Sequence, residues 1–356
     1  MTEQTTTAVQ TMQTSPPVTD SATDCRASGF SREVLRLDAQ AEIERIVKMI
    51  RVALRTRLRR QGVVLGLSGG IDSTVTAALC VKAVGPKRVL GLLMPERDSS
   101  DDSLALGQLV GDWLGIETVV EDVTPLLEGA GCYRRQDEAV RSVVPDYTPG
   151  CRFKLVLPPL LKTKGFRLFY VVVRFPDGRE VKRRLPFEAY QTIVAATNFK
   201  QRCRKMLEYF HADRLNYAVA GTPNRLEYDQ GFFVKNGDGA ADLKPIAHLY
   251  KTQVYQLADA LGVPDVIRLR PPTTDTYSLE QSQEEFFFAV PLEVLDLCLY
   301  AKNHGVPAEQ VAPVVGLTVE QVEQVFQDID AKRRTTRYLH LPPLLVEPVL
   351  SDLPSQ

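Results

Sequence analysis

Val63-Val64-Leu65-Gly66-Leu67-Ser68-Gly69-Gly70-Ile71-Asp72-Ser73-Thr74 is the stretch that decides how this chain is read. Its first residues form a short apolar run, of the kind that suits a parallel strand buried on both faces. Beyond it the apolar spacing becomes that of a helix, over 73–84. The chain therefore passes from strand to helix through Ser68-Gly69-Gly70. Two adjacent glycines let backbone approach a ligand closely, and the N–H groups at a helix start favour an anion such as a phosphate. The lysine and spacing of the Walker loop are missing, so this is a different kind of phosphate cradle. A Gly-rich turn that holds nothing is the bland alternative. Against it stands the convergence of glycines, hydroxyls and the Asp72 carboxylate at one sheet end.

Outward from this loop the pattern repeats. A strand is expected at 89–94, a helix at 103–114 and a strand at 118–120. A helix at about 198–213 then leads into a strand at 217–220 that extends the same sheet. This alternation predicts an α/β fold with a doubly wound parallel sheet, whose ligands sit beyond the carboxyl ends of the strands. Ahead of it, Ile43, Ile46, Val47, Ile50, Leu54 and Leu58 recur at helical spacing over 38–60, with Arg55, Arg57, Arg59 and Arg60 in the last turns.

Residues 130–190 break the rhythm. Strand-like 166–175, the turn Pro176-Asp177-Gly178 and a second strand at 180–185 read as a β-hairpin insertion. Between 151 and 185 it carries ten Lys or Arg against two acids. A solvated basic face is the bland reading, and contact with an anionic substrate the sharper one. The C-terminal part is helical, with Thr318 and Gln321 at capping-box spacing ahead of the stripe Val322, Val325, Phe326 and Ile329. The expected boundaries are a disordered tail at 1–30, one domain at 31–340 containing the insertion at 130–190, and a Pro-rich tail at 341–356.

Composition narrows the function classes. The formal net charge of -1 gives no support to nucleic-acid or membrane-surface binding. Six cysteines without Cys-x-x-Cys spacing and four scattered histidines argue against a disulfide framework, a zinc site or a histidine-rich metal centre, and fit a reducing cytoplasm. No apolar run approaches membrane-spanning length, and the Thr/Ser/Gln-rich start lacks the pattern of a signal peptide.

A second block carries the finer signal: Gly221-Thr222-Pro223-Asn224-Arg225-Leu226-Glu227, then Gly231-Phe232-Phe233-Val234-Lys235-Asn236-Gly237-Asp238-Gly239-Ala240-Ala241-Asp242, followed by Tyr250-Lys251-Thr252-Gln253 and Pro271-Pro272-Thr273. The loop at 66–73 resembles the pyrophosphate-binding loop of the N-type ATP pyrophosphatases. The second block, with Asn198, Arg202, Arg204 and Tyr209 upstream, resembles the signature of the NAD synthetase family over roughly 40–125 and 195–300. That resemblance implies a sheet of the adenine nucleotide alpha-hydrolase-like type. It also implies a ligase that activates a carboxylate, deamido-NAD in the family, as its adenylate and lets ammonia displace AMP. Gly66, Leu67, Ser68, Gly69, Gly70, Ile71, Asp72 and Ser73 would then hold the ATP phosphates, with Thr222, Lys251 and Thr273 on ATP or the leaving pyrophosphate. Asp72 and Glu227 would ligate Mg²⁺. Arg202, Lys235 and Asp242 would bind the dinucleotide, with Arg204 and Asp238 close by; Asp72, Lys251 and Asp238 would be catalytic. The chemistry asks for these types, because a carboxylate attacking an anionic triphosphate needs cations to neutralise charge.

Three departures from the family pattern fall on the substrate side: the insertion, the stretch 274–288, and Ala331-Lys332-Arg333 where a His-Lys pair touches substrate. Ala331 cannot make that contact, whereas Lys332 has the reach and charge for it. The same adenylation and amidation on another carboxylate is therefore the main alternative. A tRNA-modifying thiolase would call for sulfur-handling cysteines, which the unpaired spacing does not supply. A helix-turn-helix at 307–326, with Gly316 at its turn, would present Glu320, Glu323, Asp328 and Asp330 and no base to phosphates that repel them. The length leaves no segment for an attached glutaminase, so ammonia, free or from a separate glutaminase, is the expected nitrogen donor. A homodimer packed partly through the helix near 38–60 is the expected assembly.

Overall fold

The computed structural model describes residues 29–99, 101–162, 168–271, 276–288 and 290–347. Its centre is a four-stranded parallel sheet. The strands are β1 (Val63–Gly66), β2 (Val89–Leu93), β3 (Glu117–Val120) and, after a long excursion, the short strand Ala218–Val219, which becomes β7 once the insertion is counted. The sheet order is β3-β2-β1-β7, so the chain winds one way from β1 and later returns to its other side. Strand alternation sorts the side chains: Val63 and Leu65 enter one core and Val64 the opposite one.

The first core is closed by helices α1 (Ala39–Val52) and α2 (Ile71–Val84), together with a later helix, α8 (Lys251–Leu261). Ile43, Ile46, Val47 and Ile50 of α1 all point into it, so the apolar stripe read in the sequence is used within the chain. Helix α3 (Asp101–Leu114) joins β2 to β3, and α4 (Thr124–Gly129) and α5 (Cys132–Arg141) follow.

The insertion is larger than a hairpin. It is a three-stranded antiparallel sheet of β4 (Arg152–Val156), β5 (Tyr170–Arg174) and β6 (Glu180–Arg184), with Arg152 opposite Arg174 and Val173 opposite Val181. Residues 166 and 167 of the expected first strand lie outside the described residues. β4 escaped the sequence reading because Arg152 and Lys154 interrupt its apolar content, although Phe153 and Leu155 alternate with them and are buried.

Helix α6 (Phe187–Leu215) is nearly twice the expected 198–213. Its first half packs Ala189 and Ile193 against the inserted sheet, while Ala212 near its end packs on the central sheet. Two different cores share one helix, which hid its length from any single apolar stripe. After α7 (Arg225–Gln230), α8 and α9 (Asp265–Arg268), a helical layer of α10 (Leu292–His304), α11 (Ala308–Val315) and α12 (Val319–His340) forms its own core with Phe30, Leu35 and Leu226.

Candidate active site

A cleft of about 300 Å³ opens at the carboxyl ends of β1, β2 and β7, walled by Gly66–Ser73, Leu92–Pro95 and Ala220–Thr222. The loop is held from both sides. Leu67 N donates to Leu92 O at 2.8 Å, and the hydroxyls of Ser73 and Thr74 both donate to Gly70 O at 2.9 Å. Gly69 has φ +71°, and a Cβ there would collide with Leu106. Glycine is therefore required at this position both by the left-handed backbone and by the close pass of α3. No side chain caps the start of α2. Its first N–H groups are left to face the cleft, and the positive end of a helix dipole lies where an anion can use it.

Opposite this loop, α7 and α8 bring in the charges. Glu227 is the third residue of α7, fixed by a capping box in which Asn224 N donates to Glu227 Oε2 at 3.1 Å and Glu227 N to Asn224 Oδ1 at 3.3 Å. The same Asn224 reaches across the cleft and donates through Nδ2 to Asp72 Oδ1 at 3.2 Å. Lys251, the first residue of α8, places Nζ 2.5 Å from Asp72 Oδ2. Asp296 of α10 anchors this lysine's end of the helix, accepting from Lys251 N at 3.1 Å and from Thr252 N and Oγ1 at 2.7 Å. Burial, reinforced by the charge of Asp72, holds the Glu227 carboxyl well above the usual range. Burial acts to lower Lys251, but the charges of Asp72 and Glu227 outweigh it and keep the ammonium above its ordinary value. Two carboxylates thus share one lysine, and an added cation would relieve the excess charge. Among the described residues no group of three or more His, Cys, Asp or Glu side chains could hold a metal. A pair of carboxylates completed by phosphate oxygens and water is how magnesium is commonly held beside a nucleotide, so Asp72 and Glu227 fit that ion.

The back wall is built by α6. Lys205 Nζ lies 2.6 Å from Glu208 Oε2, and both line the cleft with Arg204 and Asp238. Asp238 Oδ1 accepts from Val234 N at 2.7 Å. Burial raises the carboxyls of both Glu208 and Asp238, against the pull of Lys205 on the first and of the Val234 N–H on the second.

The loop 66–73, Thr222, Glu227, Asp238, Lys251 and Arg204 therefore meet in one cleft. Thr273 lies outside the described residues. Arg202, Lys235, Asp242 and Lys332 do not line the cleft. Arg202 Nε donates to Lys235 O at 3.3 Å, and Lys235 Nζ to the carbonyls of Tyr338 and Leu341 at 2.8 and 2.9 Å. Asp242 accepts from Val219 N at 2.7 Å and from Tyr209 OH at 3.4 Å. Lys332 pairs with Asp328 at 2.8 Å and lies over the Phe287 ring, while the neighbouring Arg333 grips Asp229 through two bonds. Arg202, Lys235, Asp242 and Lys332 thus gather along α6 and α12, outside the cleft wall.

Reading the sequence missed Lys205, Glu208, Gln283 and Asp296, and assigned no role to Asn224. The Asn224–Glu227 spacing is a capping box and was open to reading. Lys205–Glu208 is an ordinary i,i+3 pair until burial is known. Asp296 meets Lys251 across 45 residues and has no local signal.

A parallel α/β sheet with a glycine-rich strand-to-helix loop at its carboxyl edge, faced by paired carboxylates that share a lysine, is the arrangement that the resemblance to the ATP pyrophosphatases implied. The NAD synthase family model matches residues 42–142 and 179–337. The chain is 61% identical over 312 residues to the NH(3)-dependent NAD(+) synthetase of Mesorhizobium japonicum, covering 88% of this chain and 98% of that relative. It is 58% identical over 320 residues to the protein of the same name from Rhizobium meliloti, covering 90% and 96%. The chain belongs to the NAD synthase family. Among solved structures, an NMN synthetase from Francisella tularensis superposes with TM-score 0.59 at 22% identity, covering 87% of this chain and 99% of that one. The NH3-dependent NAD synthetase of Campylobacter jejuni gives 0.57 at 21%, covering 87% and 100%. At such identities these neighbours speak for the fold alone. The family model leaves 143–178 unmatched, which is where β4 and β5 of the inserted sheet lie.

Proposed function

We propose that this chain is an ammonia-dependent ligase that amidates deamido-NAD to NAD, consuming ATP and releasing AMP and pyrophosphate. The observation that carries the substrate is the 61% identity running through 98% of a relative bearing the name NH(3)-dependent NAD(+) synthetase. Fold alone would not choose the carboxylate, since a protein named NMN synthetase shares it.

In this reading the β- and γ-phosphates lie against Gly66–Ser73 and the start of α2, which leaves the α-phosphate exposed to the incoming carboxylate. A carboxylate oxygen bonds to the α-phosphorus as the bond to pyrophosphate breaks. Ammonia then attacks the acyl carbon, AMP departs with one former carboxylate oxygen, and the surplus proton leaves the nitrogen. Lys251, held by Asp72 and by its helix end on Asp296, would follow the charge that develops on the leaving pyrophosphate. Asp72 and Glu227 are the groups that would hold Mg²⁺, which supplies charge neutralisation at the phosphates when bound. Arg204 and Asp238 would meet the carboxylate side of the cleft, with Arg202, Lys235 and Asp242 beside it for the rest of the dinucleotide.

Ammonia, free or handed over by a separate glutaminase, is the nitrogen source in this account, and the cytoplasm its setting. No described helix is long and apolar enough to cross a membrane. A homodimer through α1 would have to use its outer face, where Met49 and Val52 are exposed, because the inner stripe is already spent on the chain's own core. Sedimentation tests the dimer. A panel of carboxylates assayed for AMP release with ATP and an ammonium salt tests the substrate: deamido-NAD should exceed every other member, and a faster rival would replace it.

A further inference from the structure

The inserted sheet reaches the cleft through a passenger segment. β4 is an edge strand, and residues 278–281 lie along it. Leu279 N donates to Phe153 O at 3.1 Å, Phe153 N to Ser278 Oγ at 2.9 Å, and Lys154 Nζ to Glu280 O at 3.3 Å. Gln281 Nε2 adds a bond to Leu155 O. Side chains reinforce this: the Tyr277 ring packs 5.4 Å from Phe153 and 5.6 Å from Phe286. Held in this way, the segment delivers Gln283 to the cleft wall, where its Nε2 donates to Glu227 Oε1 at 3.0 Å.

Gln283 is only 9% exposed, and its Oε1 is buried with no donor among the described residues. An ionised carboxylate, the form that a bound cation would keep, accepts and does not donate, so beside it the amide nitrogen faces Glu227 and the oxygen is left over. Buried carbonyl oxygens are rarely left so, and the exceptions call for an ion, a water or a functional role. A divalent cation of the hard kind takes oxygen ligands, carboxamide carbonyls included. An uncharged oxygen would strengthen its hold without adding negative charge to a cleft that must also admit a triphosphate.

We propose that Gln283 is a third protein group of the cation site, its nitrogen orienting Glu227 and its oxygen completing the cation's shell. The inserted sheet is the scaffold that puts it there. This rests on the assignment of Asp72 and Glu227 as the cation's carboxylates.

The test is a Mn²⁺ titration of the full chain, with an ATP analogue that cannot be cleaved between the α- and β-phosphates, read by the paramagnetic signal of unbound Mn²⁺. Gln283→Leu should weaken Mn²⁺ binding by about tenfold, in the range measured for groups that orient metal ligands. Binding of the analogue without divalent metal should not change. Gln283→Glu, which restores an oxygen, should bind Mn²⁺ within a few-fold of the unsubstituted chain. Ser278→Ala, which loosens the segment from β4, should weaken binding in the same direction by less. Unchanged Mn²⁺ affinity in Gln283→Leu overturns the proposal, and so does a Gln283→Glu variant as weak as the leucine one, since a packing role would produce it. If Gln283→Leu does not fold, Gln283→Ala, which also lacks the carboxamide oxygen, takes its place under the same criteria. Unsubstituted chain that takes up no Mn²⁺ with the analogue, and is matched in this by Glu227→Gln, overturns the cation site itself and this proposal with it.

Discussion

Lys251 Nζ lies 2.5 Å from Asp72 Oδ2, joining the first residue of α8 to the second residue of α2 across the cleft. The protein's own groups fix the lysine at both ends, Asp72 at its ammonium and Asp296 at its backbone N–H. Lys251→Met should therefore lower turnover by roughly two orders of magnitude or more, the usual cost of one preorganised electrostatic group. Stability should also fall, by roughly 3 kcal/mol or less, because Asp72 loses its ion partner and keeps only Asn224. Steady-state AMP release and urea unfolding measure the two effects separately.

The carboxylates make a different prediction. Asp72→Asn and Glu227→Gln keep size and most hydrogen bonding but remove anionic charge from the proposed cation site. Turnover should drop by roughly two orders of magnitude in each. Unfolding free energy should fall in Asp72→Asn by about as much as in Lys251→Met, because the buried Lys251 ammonium loses the carboxylate 2.5 Å away. Glu227→Gln should move it by less than about 1 kcal/mol, since no cavity opens. Near-normal turnover in both variants would place the cation elsewhere.

Asp296 gives a pH signature. Burial, partly countered by hydrogen bonds from Thr252 and Lys251, pushes its carboxyl from 3.8 up to about 6. Between those values the folded chain holds a proton that the unfolded chain has released. The stabilisation from this group is thus complete below about 3.8 and is lost as pH rises through about 6. The loss amounts to at most about 3 kcal/mol. Asp296→Asn should flatten stability against pH across that window, and an unchanged slope in urea unfolding would remove the assignment.

These groups differ in how far the sequence discloses them. The loop at 66–73 is legible because a period change, paired glycines and hydroxyls occur within a dozen neighbouring residues. Glu227 and Lys251 are legible through the family pattern around them, and the parallel sheet through its alternation with helices. What stays hidden is long-range: Lys200 places its ammonium 2.8 Å from both Glu96 and Asp98, about a hundred residues earlier, and 3.1 Å from Thr276 O. Gln283 reaches Glu227 only because β4 carries its segment there. β4 itself is masked by its arginine and lysine.

The basic face of the insertion should prove indifferent to catalysis. Lys182, Arg183 and Arg184 are exposed on β6, the strand farthest from the edge where β4 holds the cleft segment, and none lines the cleft. Replacing all three by Ser should leave both KM values within about twofold at low salt, where screening beyond about 10 Å is weakest. A strong rise in KM for deamido-NAD alone, fading as salt is added, would instead make the face a steering surface for an anionic substrate.

The central claim is that a carboxylate attacks the α-phosphorus and ammonia later displaces AMP from the acyl carbon. Deamido-NAD carrying heavy oxygen in its carboxylate, turned over with ATP and ammonium, tests this most directly by mass spectrometry of the spent nucleotide. The account predicts one labelled oxygen in AMP for each NAD formed, with unlabelled pyrophosphate. Label in orthophosphate accompanied by ADP, or AMP without label, would contradict it.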